Sequence, residues 1–242
     1  MHLIAALLTI AAASDLQPVL PALVSAFERQ TGHQVRLTFG SSGNIYSQIQ
    51  NGAPFDVFLS ADVDYPRRLE AGGLGEPNSV YEYATGVLVL WVRNESNLDL
   101  ARGVQILASG GVRRIAIANP EHAPYGRAAV AALRAAQLYD RLAGKFVFGE
   151  NVSQSAQFVQ SGNADIGILP LSLARSPALG RVGRFATVPN SLYAPIEQAA
   201  IILRSSHAKD AARAFLAFLK EPQTGKALAE AGFAPPLGRA AR

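Results

Sequence analysis

The stretch LLTIAAASD at residues 7–15 decides the fold of this chain, because a short apolar run ends directly in Ser14 and Asp15. A buried strand has this length and composition, and Ser or Asp after it is a typical helix start. Apolar residues then recur at helical spacing from Val19 to Phe27, and Gly32 is a natural helix end. The stretch therefore predicts a first βα unit whose strand is Leu7–Ala13.

The same alternation of strand and helix continues along most of the chain. Further strands are predicted at residues 35–39, 55–59, 81–92, 114–118, 146–148, 165–169 and 197–203. Helices are predicted from residue 62 and at residues 127–137, 153–161, 209–219 and 222–231, with a short helix around Ile45 and Ile49. This alternation is typical of α/β proteins with parallel, helix-covered sheets.

Two crossovers, near Tyr83 and Tyr193, divide the predicted fold into two lobes joined by a hinge of two strands. Each lobe is expected to be a mostly parallel sheet flanked by helices, with a ligand cleft between the lobes. The predicted division is residues 1–82 with 194–242 for lobe I and residues 83–193 for lobe II.

Composition narrows the classes of function. A hydrophobic fraction of 49% in 242 residues is too high for a disordered chain and is enough for one or two cores. The formal net charge is +4, but the basic residues are scattered, which disfavours nucleic acid as a partner and favours encounter with a small anion. There are no cysteines, so disulfides, thiolate metal sites and cysteine nucleophiles are excluded.

The apolar N-terminus could also be a signal peptide. It lacks a Lys or Arg n-region, however, and its apolar run ends directly in a helix start. We therefore assign Leu7–Ala13 to the first strand and residues 1–6 to a signal-peptide remnant or an added start. No other apolar run approaches the roughly 20 residues that a spanning helix needs, so a soluble mature protein is expected.

Neutral hydrogen-bond donors stand at four places where a predicted strand turns into a helix. A helix N-terminus presents unpaired backbone N–H groups and a partial positive charge, so it binds anions without a formal cation. Parallel sheets bind ligands beyond the carboxyl ends of their strands. We therefore predict that both lobes donate to one anion and that hinge closure completes the site. The candidate donors are Ser14, Ser41, Ser42, Tyr125, Asn151 and Val152.

Each of these residues also has a purely structural explanation. Ser14 and Ser42 could serve only as N-caps, Tyr125 could be a half-buried packing residue, and Val152 has only its backbone N–H to offer. Asp15 fits the first helical turn, where its charge complements the helix dipole. The convergence of four such helix starts from two lobes favours the anion site.

Catalytic and metal-binding functions have weak support. A serine hydrolase needs a base beside its nucleophile, but the four histidines lie in no triad context. The segment GSSG at residues 40–43 lacks the Gly-Lys-Ser/Thr ending of a P-loop, and metal spacing such as H-E-x-x-H is absent. We therefore expect no enzyme activity, no cofactor and no direct protein–metal ligands.

Around these helix starts the sequence resembles the periplasmic molybdate-binding proteins of ABC transporters. The matching stretches follow the family's order along nearly the whole chain: AAAS at 11–14, residues 39–43, GAPFDVF at 52–58, SAD at 60–62, NPEHAPYG at 119–126, GENV at 149–152 and residues 215–233. The resemblance implies a type II periplasmic-binding-protein fold, capture of molybdate or tungstate, and delivery to a membrane permease. A monomer in the periplasm is expected.

Carried over residue by residue, the resemblance implies oxyanion contacts from Ser14, Ser42, the Tyr125 region and the backbone N–H of Val152. The metal would be held as its oxyanion. Some members also donate a tyrosine hydroxyl from the loop after the strand at 166–169, where this sequence has Pro170 with neither hydroxyl nor N–H. We expect Tyr125 to replace that donor. Secondary candidates for oxyanion contact are Asp15, Ser41 and Asn151.

The chemistry of the anion agrees with a site that contains only donors. Molybdate is a fully deprotonated dianion near neutral pH, whereas a buried hydrogen phosphate carries a proton whose lack of an acceptor costs about 1–3 kcal/mol. Sulfate is also a dianion and differs chiefly in size, so a receptor for another tetrahedral oxyanion such as sulfate is an alternative.

Two further classes of protein compete with a solute receptor. An enzyme with Ser42 as nucleophile is the first, but the sequence places no base beside that serine. The effector domain of a transcription factor is the second, and the absence of a helix-turn-helix segment disfavours it.

Overall fold

The computed structural model describes residues 6–239, which form two compact units. The first unit contains residues 6–85 and 197–239, and the second is Gly86–Ile196. The chain therefore passes between the units twice, in each case three residues after the predicted boundaries at residues 82 and 193. The predicted signal-peptide remnant at residues 1–6 lies outside the described residues except for Ala6.

The predicted helices and strands occur in the expected order, and further elements are present between residues 171 and 187. The first passage through unit one contains β1 (Leu7–Ala13), α1 (Leu20–Thr31), β2 (Gln34–Gly40), α2 (Ser42–Gln50), β3 (Val57–Ser60), α3 (Asp64–Ala71) and β4 (Tyr81–Gly86). Unit two contains β5 (Leu88–Arg93), β6 (Ile115–Ala118), α4 (Pro124–Ala135), β7 (Phe146–Gly149), α5 (Val152–Gln160), β8 (Ile166–Pro170), α6 (Leu171–Arg175), α7 (Pro177–Gly180) and β9 (Gly183–Thr187). The return to unit one adds β10 (Ile196–Ile202), α8 (Lys209–Leu219) and α9 (Pro222–Ala231).

Local sequence chemistry explains several helix ends. Helix α1 stops at Gly32, which adopts φ 74° and donates its N–H to the carbonyl of Glu28. This left-handed conformation is easy only for glycine. Helices α4 and α9 begin with Pro124 and Pro222, where the missing N–H of proline has no helical partner to lose.

The two units share one sheet topology. Their strand orders are β2-β1-β3-β10-β4 and β7-β6-β8-β5-β9. In each sheet the second strand of this order, β1 or β6, is parallel to both of its neighbours. The next strand along is antiparallel, because β10 pairs with β3 and β5 pairs with β8 in that sense. The carboxyl ends of three parallel strands therefore meet at one edge of each sheet.

The core of the first unit brings distant parts of the chain together. Phe27 of α1 packs edge-on against Phe215 and Phe218 of α8, with ring centroids 5.2 Å and 5.6 Å apart. All three rings are buried, and burial of large apolar side chains is the main stabilising term of such a core. None of the helices between residues 6 and 239 is long and apolar enough to cross a membrane.

The structure confirms the α/β class and refines three details of it. The strand predicted at residues 81–92 is two strands that separate at Val87, with β4 in the first sheet and β5 in the second. Both sheets are mixed, since β10 is antiparallel to β3 in the first and β5 is antiparallel to β8 and β9 in the second. Helices α6 and α7, strand β9 and the 3₁₀ stretch Leu100–Ala108 were not predicted. Gly103 interrupts the 3₁₀ stretch with φ 56° and ψ −147°.

Candidate functional site

The first unit gathers three strand ends at one edge of its sheet. Ala13 at the end of β1 pairs in parallel register with Gly40 at the end of β2, and Ala12 pairs with Leu59 of β3. The residues that follow these strands consequently lie side by side. We call this group the first donor edge, and it consists of Ser14, Ser41, Ser42 and Ala61.

Ser14 starts a short 3₁₀ turn, Ser14–Leu16, directly after β1 and is only 2% exposed. Its hydroxyl donates to the carbonyl oxygen of Gly40 at 3.1 Å, which fastens the end of β1 to the end of β2. A hydroxyl rotates easily between acceptors. An anion at this edge would therefore compete with Gly40 for the Ser14 hydrogen.

Ser42 is the first residue of α2, where backbone N–H groups have no intrahelical acceptor. Its Oγ accepts the backbone N–H of Ala61 at 2.9 Å, and the residue is 1% exposed. Because the oxygen is the acceptor in this bond, the hydroxyl hydrogen is directed elsewhere and can be donated to a ligand. The hydroxyl of Ser42 is thus oriented to donate, and this orientation depends on a contact with Ala61 that the sequence does not reveal.

Ser41 precedes α2 and makes no side-chain capping bond to it. Its Oγ is buried and has no hydrogen-bond partner among the described residues. A buried hydroxyl without a partner costs about 1–3 kcal/mol. A ligand that accepts from Ser41 would remove that cost, so this secondary candidate stays a candidate contact.

The second unit gathers its candidate donors at the corresponding edge. Ala118 at the end of β6 pairs in parallel register with Gly149 at the end of β7. The loops after these strands are tied together, because Asn119 donates its N–H to the Gly149 carbonyl at 2.8 Å and the His122 Nε2 lies 3.0 Å from the Glu150 carbonyl oxygen. We call the group that follows the second donor edge, and it consists of Tyr125, Asn151 and Val152.

The start of α5 assigns different roles to Asn151 and Val152. The Asn151 Oδ1 accepts the backbone N–H groups of Ser153 at 3.0 Å and Gln154 at 3.1 Å, so this side chain is the N-cap of the helix. The buried Val152 lies between the cap and these two donors, and its N–H is outside the cap. The structure therefore gives Asn151 a capping role and keeps the Val152 N–H as the candidate donor.

Tyr125 is held at the end of β6 by a very close approach of helix and strand. It is the second residue of α4 and is 2% exposed. A Cβ atom on the next residue, Gly126, would lie 2.2 Å from the carbonyl oxygen of Ala118, which no side chain tolerates. Glycine at this position is thus required for Tyr125 to stand where it does.

Pro170 is the last residue of β8, at the same edge of the second sheet. It has no N–H, and the N–H of the following Leu171 is already donated to the carbonyl of Val87 at 2.8 Å. This strand end therefore presents neither a hydroxyl nor a backbone N–H from these two residues to a ligand.

Asp15 belongs to a buried hydrogen-bond chain that sequence reasoning missed. The Gln198 Nε2 donates to the Asp15 Oδ2 at 2.5 Å, and the Tyr83 hydroxyl donates to the Gln198 Oε1 at 2.8 Å. Burial and, next, the charge of Asp15 raise the pKa of Tyr83 well above its usual value, so Tyr83 remains a protonated donor. The carboxylate of Asp15 can only accept, so the structure argues against its side chain as an oxyanion contact. The missed signal is a glutamine within the apolar strand β10.

The candidate donors at both edges are uncharged. The candidates are hydroxyl and backbone N–H groups. Among residues 6–239 there is no group of three or more His, Cys, Asp or Glu side chains that could hold a metal ion. Such edges suit an anion that needs donors only.

Comparison with known proteins agrees with this geometry. Residues 8–234 match the family of bacterial extracellular solute-binding proteins. The chain is 38% identical over 229 residues to the molybdate-binding protein ModA of Azotobacter vinelandii, across 95% of this chain and 90% of that protein. It is 38% identical over 208 residues to the molybdate-binding protein ModA of Rhodobacter capsulatus, across 86% and 80%. The solved structure of the Azotobacter vinelandii periplasmic molybdate-binding protein matches with a TM-score of 0.89 and 36% identity, across 95% of this chain and 99% of that one.

Proposed function

The chain belongs to the bacterial extracellular solute-binding proteins, in the family of the ModA molybdate-binding proteins, and on that premise we propose that it captures molybdate or tungstate and delivers it to the permease of an ABC transporter. The observation that carries the proposal is the pair of donor edges, each made of uncharged donors at the carboxyl ends of parallel strands. We propose that Ser14, Ser42, Tyr125 and Val152 bind one oxyanion together.

The protonation of the anion explains why such donors suit it. Molybdate and tungstate carry no proton near neutral pH and need only donors, which hydroxyl and backbone N–H groups supply. Charge-assisted hydrogen bonds from neutral donors to an anion contribute about 1.5–3 kcal/mol each. Hydrogen phosphate needs an acceptor for its proton, and a backbone N–H cannot provide one, so phosphate is expected to bind less tightly.

Sulfate capture is the second candidate, because sulfate is also a dianion that accepts hydrogen bonds only. Size is the main difference between the two anions, so a cavity fitted to one binds the other less tightly. The relatives that are 38% identical to this chain carry molybdate in their names, and this favours molybdate.

We further propose a receptor without catalytic turnover or resident cofactor, acting as a monomer in the periplasm with the permease as its partner. The Ser42 hydroxyl oxygen accepts the N–H of Ala61, an interaction that positions a donor and does not activate a nucleophile. The relatives are binding proteins by name, in agreement with this role.

Thermal unfolding with molybdate, tungstate, sulfate and phosphate in turn tests the proposal. A ligand at a thousandfold excess over its Kd stabilises the folded protein by about 4 kcal/mol. For a chain of this length the melting temperature should rise by roughly 10 °C with molybdate or tungstate. A rise with sulfate alone would favour the second candidate, and no rise with any of the four anions would refute oxyanion capture.

A further inference from the structure

The Tyr83–Gln198–Asp15 hydrogen-bond chain connects the first donor edge to two strands that lead toward the other unit. Tyr83 lies in β4, just before the first unit ends at Thr85, and Gln198 lies in β10, just after the unit resumes at Glu197. Asp15 lies in the turn Ser14–Leu16, next to Ser14. One buried chain of side chains thus meets the anion-binding turn and both crossover strands, all within the first unit.

We propose that Gln198 and Tyr83 are positioning residues for oxyanion capture, which hold the turn Ser14–Leu16 through the carboxylate of Asp15. The inference rests on the proposed function, because its consequence is measured as binding of that anion. Neither Gln198 nor Tyr83 needs to touch the anion for this role.

The direction of each hydrogen bond in the chain is fixed by chemistry. The carboxylate of Asp15 only accepts, so the amide nitrogen of Gln198 must face it. The amide oxygen of Gln198 then faces Tyr83, whose hydroxyl must donate. A second contact of 3.3 Å from the Tyr83 hydroxyl to the carbonyl oxygen of Ser60 ties the chain to the end of β3. A single orientation of Gln198 therefore satisfies the chain.

Because the Tyr83–Gln198–Asp15 hydrogen bonds are buried, they are sensitive to substitution of any of the three residues. Asp15 and Gln198 are fully buried and Tyr83 is 5% exposed. In such surroundings a broken hydrogen bond leaves a polar group without water to replace its partner. The Asp15 carboxylate also carries a charge that repels an approaching dianion, so its bond to Gln198 keeps that charge in a fixed place. A displaced carboxylate would move the adjoining Ser14.

The main test exchanges the two ends of the Asp15–Gln198 bond. Gln198→Glu sets two buried carboxyl groups against each other. Because a shared proton can replace the amide hydrogen near neutral pH, the titration is done at about pH 9, where ionisation of both groups makes them repel. We expect molybdate affinity to fall about thirtyfold by titration calorimetry below the melting temperature. In the double variant Asp15→Asn with Gln198→Glu, the new amide donates to the new carboxylate, which still accepts from Tyr83. Most of the loss should be recovered, to within about threefold of the starting protein.

A milder variant keeps the test valid if Gln198→Glu does not fold. Tyr83→Phe removes one hydroxyl and should weaken molybdate binding about fivefold, the fold-change that one buried hydrogen bond produces. Thr224→Val is the matched control, because the buried Thr224 hydroxyl lies in α9 of the same unit, where it donates to the carbonyl oxygen of Phe218 at 2.8 Å. That control should lower the melting temperature and leave the affinity unchanged.

The outcomes separate positioning from mere stability. If Gln198→Glu and Tyr83→Phe lower the melting temperature but bind molybdate like the starting protein, the chain is only structural and the inference is overturned. Absence of recovery in the double variant would overturn it as well. If the unsubstituted protein binds neither molybdate nor tungstate, the proposed function fails, and its own titration identifies that failure separately.

Discussion

The first donor edge is built mainly from side-chain hydroxyls, whereas the second depends on the course of the backbone. Ser14 and Ser42 are each tied to a neighbouring strand end through their own hydroxyl groups. In the second unit the Asn151 side chain caps its helix, Val152 offers an N–H, and Gly126 lets a helix approach a strand. The first edge therefore depends on two serine hydroxyls, and the second on the Val152 N–H and on a Tyr125 whose place requires backbone space at Gly126.

The largest effect on stability and affinity is expected from a substitution at Gly126, where α4 packs closely against β6. Gly126→Ala would place a Cβ atom 2.2 Å from the carbonyl oxygen of Ala118, so α4 must shift away from β6. We expect a loss of about 3 kcal/mol in the free energy of unfolding, the upper range for overpacking, and a clear loss of anion affinity. Urea unfolding and titration calorimetry measure the two effects.

Gly225→Ala is the matched control for this substitution. Gly225 lies in α9, and a Cβ atom there would have no heavy atom within 4 Å. Because alanine is the better helix former, stability should stay equal or rise by up to about 1 kcal/mol. Equal behaviour of the two variants would show that the second edge tolerates a side chain, and the contrast between the edges would then be wrong.

The second-largest effect is expected from a substitution of Ser42 at the first donor edge. Ser42→Ala removes the proposed anion donor and leaves the buried N–H of Ala61 without its acceptor. Affinity for molybdate should fall about thirtyfold, as a hydrogen bond to a charged group contributes roughly 2 kcal/mol, and the unliganded protein should lose about 1–2 kcal/mol of stability. Calorimetry and urea unfolding separate the two losses.

Ser47→Ala on the same helix is the control, since Ser47 is exposed. It should change neither stability nor affinity by more than about 0.5 kcal/mol. If Ser42→Ala keeps the full affinity while losing stability, Ser42 serves only to hold Ala61, and the proposed donor role is refuted.

The amino ends of strands β3 and β8 offer a second comparison between the two units. Asp56 lies directly before β3 and accepts from the Thr9 backbone N–H at 2.7 Å and the Ser206 hydroxyl at 2.7 Å. Asp165 lies directly before β8 and accepts the backbone N–H groups of Arg113 and Arg114, each at 2.8 Å. Each unit thus uses one aspartate to hold the start of its central strand, but only Asp56 is buried.

The smallest effect is expected from Asp56 and depends on pH. Burial alone would raise the pKa of Asp56, but its hydrogen bonds from Ser206 and Thr9 together outweigh burial and lower the pKa. The carboxylate therefore contributes stability above the unfolded pKa of about 3.9 and loses it as pH falls through the folded pKa. Below about pH 4 the free energy of unfolding should fall more steeply in the starting protein than in Asp56→Asn, as measured by urea unfolding across pH. Parallel curves would contradict this.

Periodicity and helix-end residues predicted most of the fold. Strand Leu7–Ala13 and helices Lys209–Leu219 and Pro222–Ala231 have the expected bounds, because each has a clear apolar pattern with a marked end. The separation of β4 from β5 was missed, since residues 81–92 are rich in aromatic and β-branched residues on both sides of Val87, where the chain changes sheets. Which sheet a strand joins depends on tertiary pairing, which periodicity does not encode.

The candidate site was predictable in position but not in its hydrogen bonds. A serine after an apolar strand predicts a helix start, yet only the structure shows that Ser42 accepts from Ala61 and Ser14 donates to Gly40. The roles of Gln198 and Tyr83 depend on strands far apart in sequence, so no local pattern indicates them. The resemblance to the periplasmic molybdate-binding proteins is confirmed at the level of the family.

The packing of Phe27 against Phe215 and Phe218 has a consequence for biosynthesis. The partners of α1 leave the ribosome only after the whole of Gly86–Ile196 has been made, whereas that intervening unit is continuous in sequence. Local contacts form before distant ones, since closing a long loop costs entropy. The inserted unit can therefore complete its contacts before the first unit does, and the chain should be most vulnerable to aggregation and proteolysis while the apolar side chains of the first unit are still exposed.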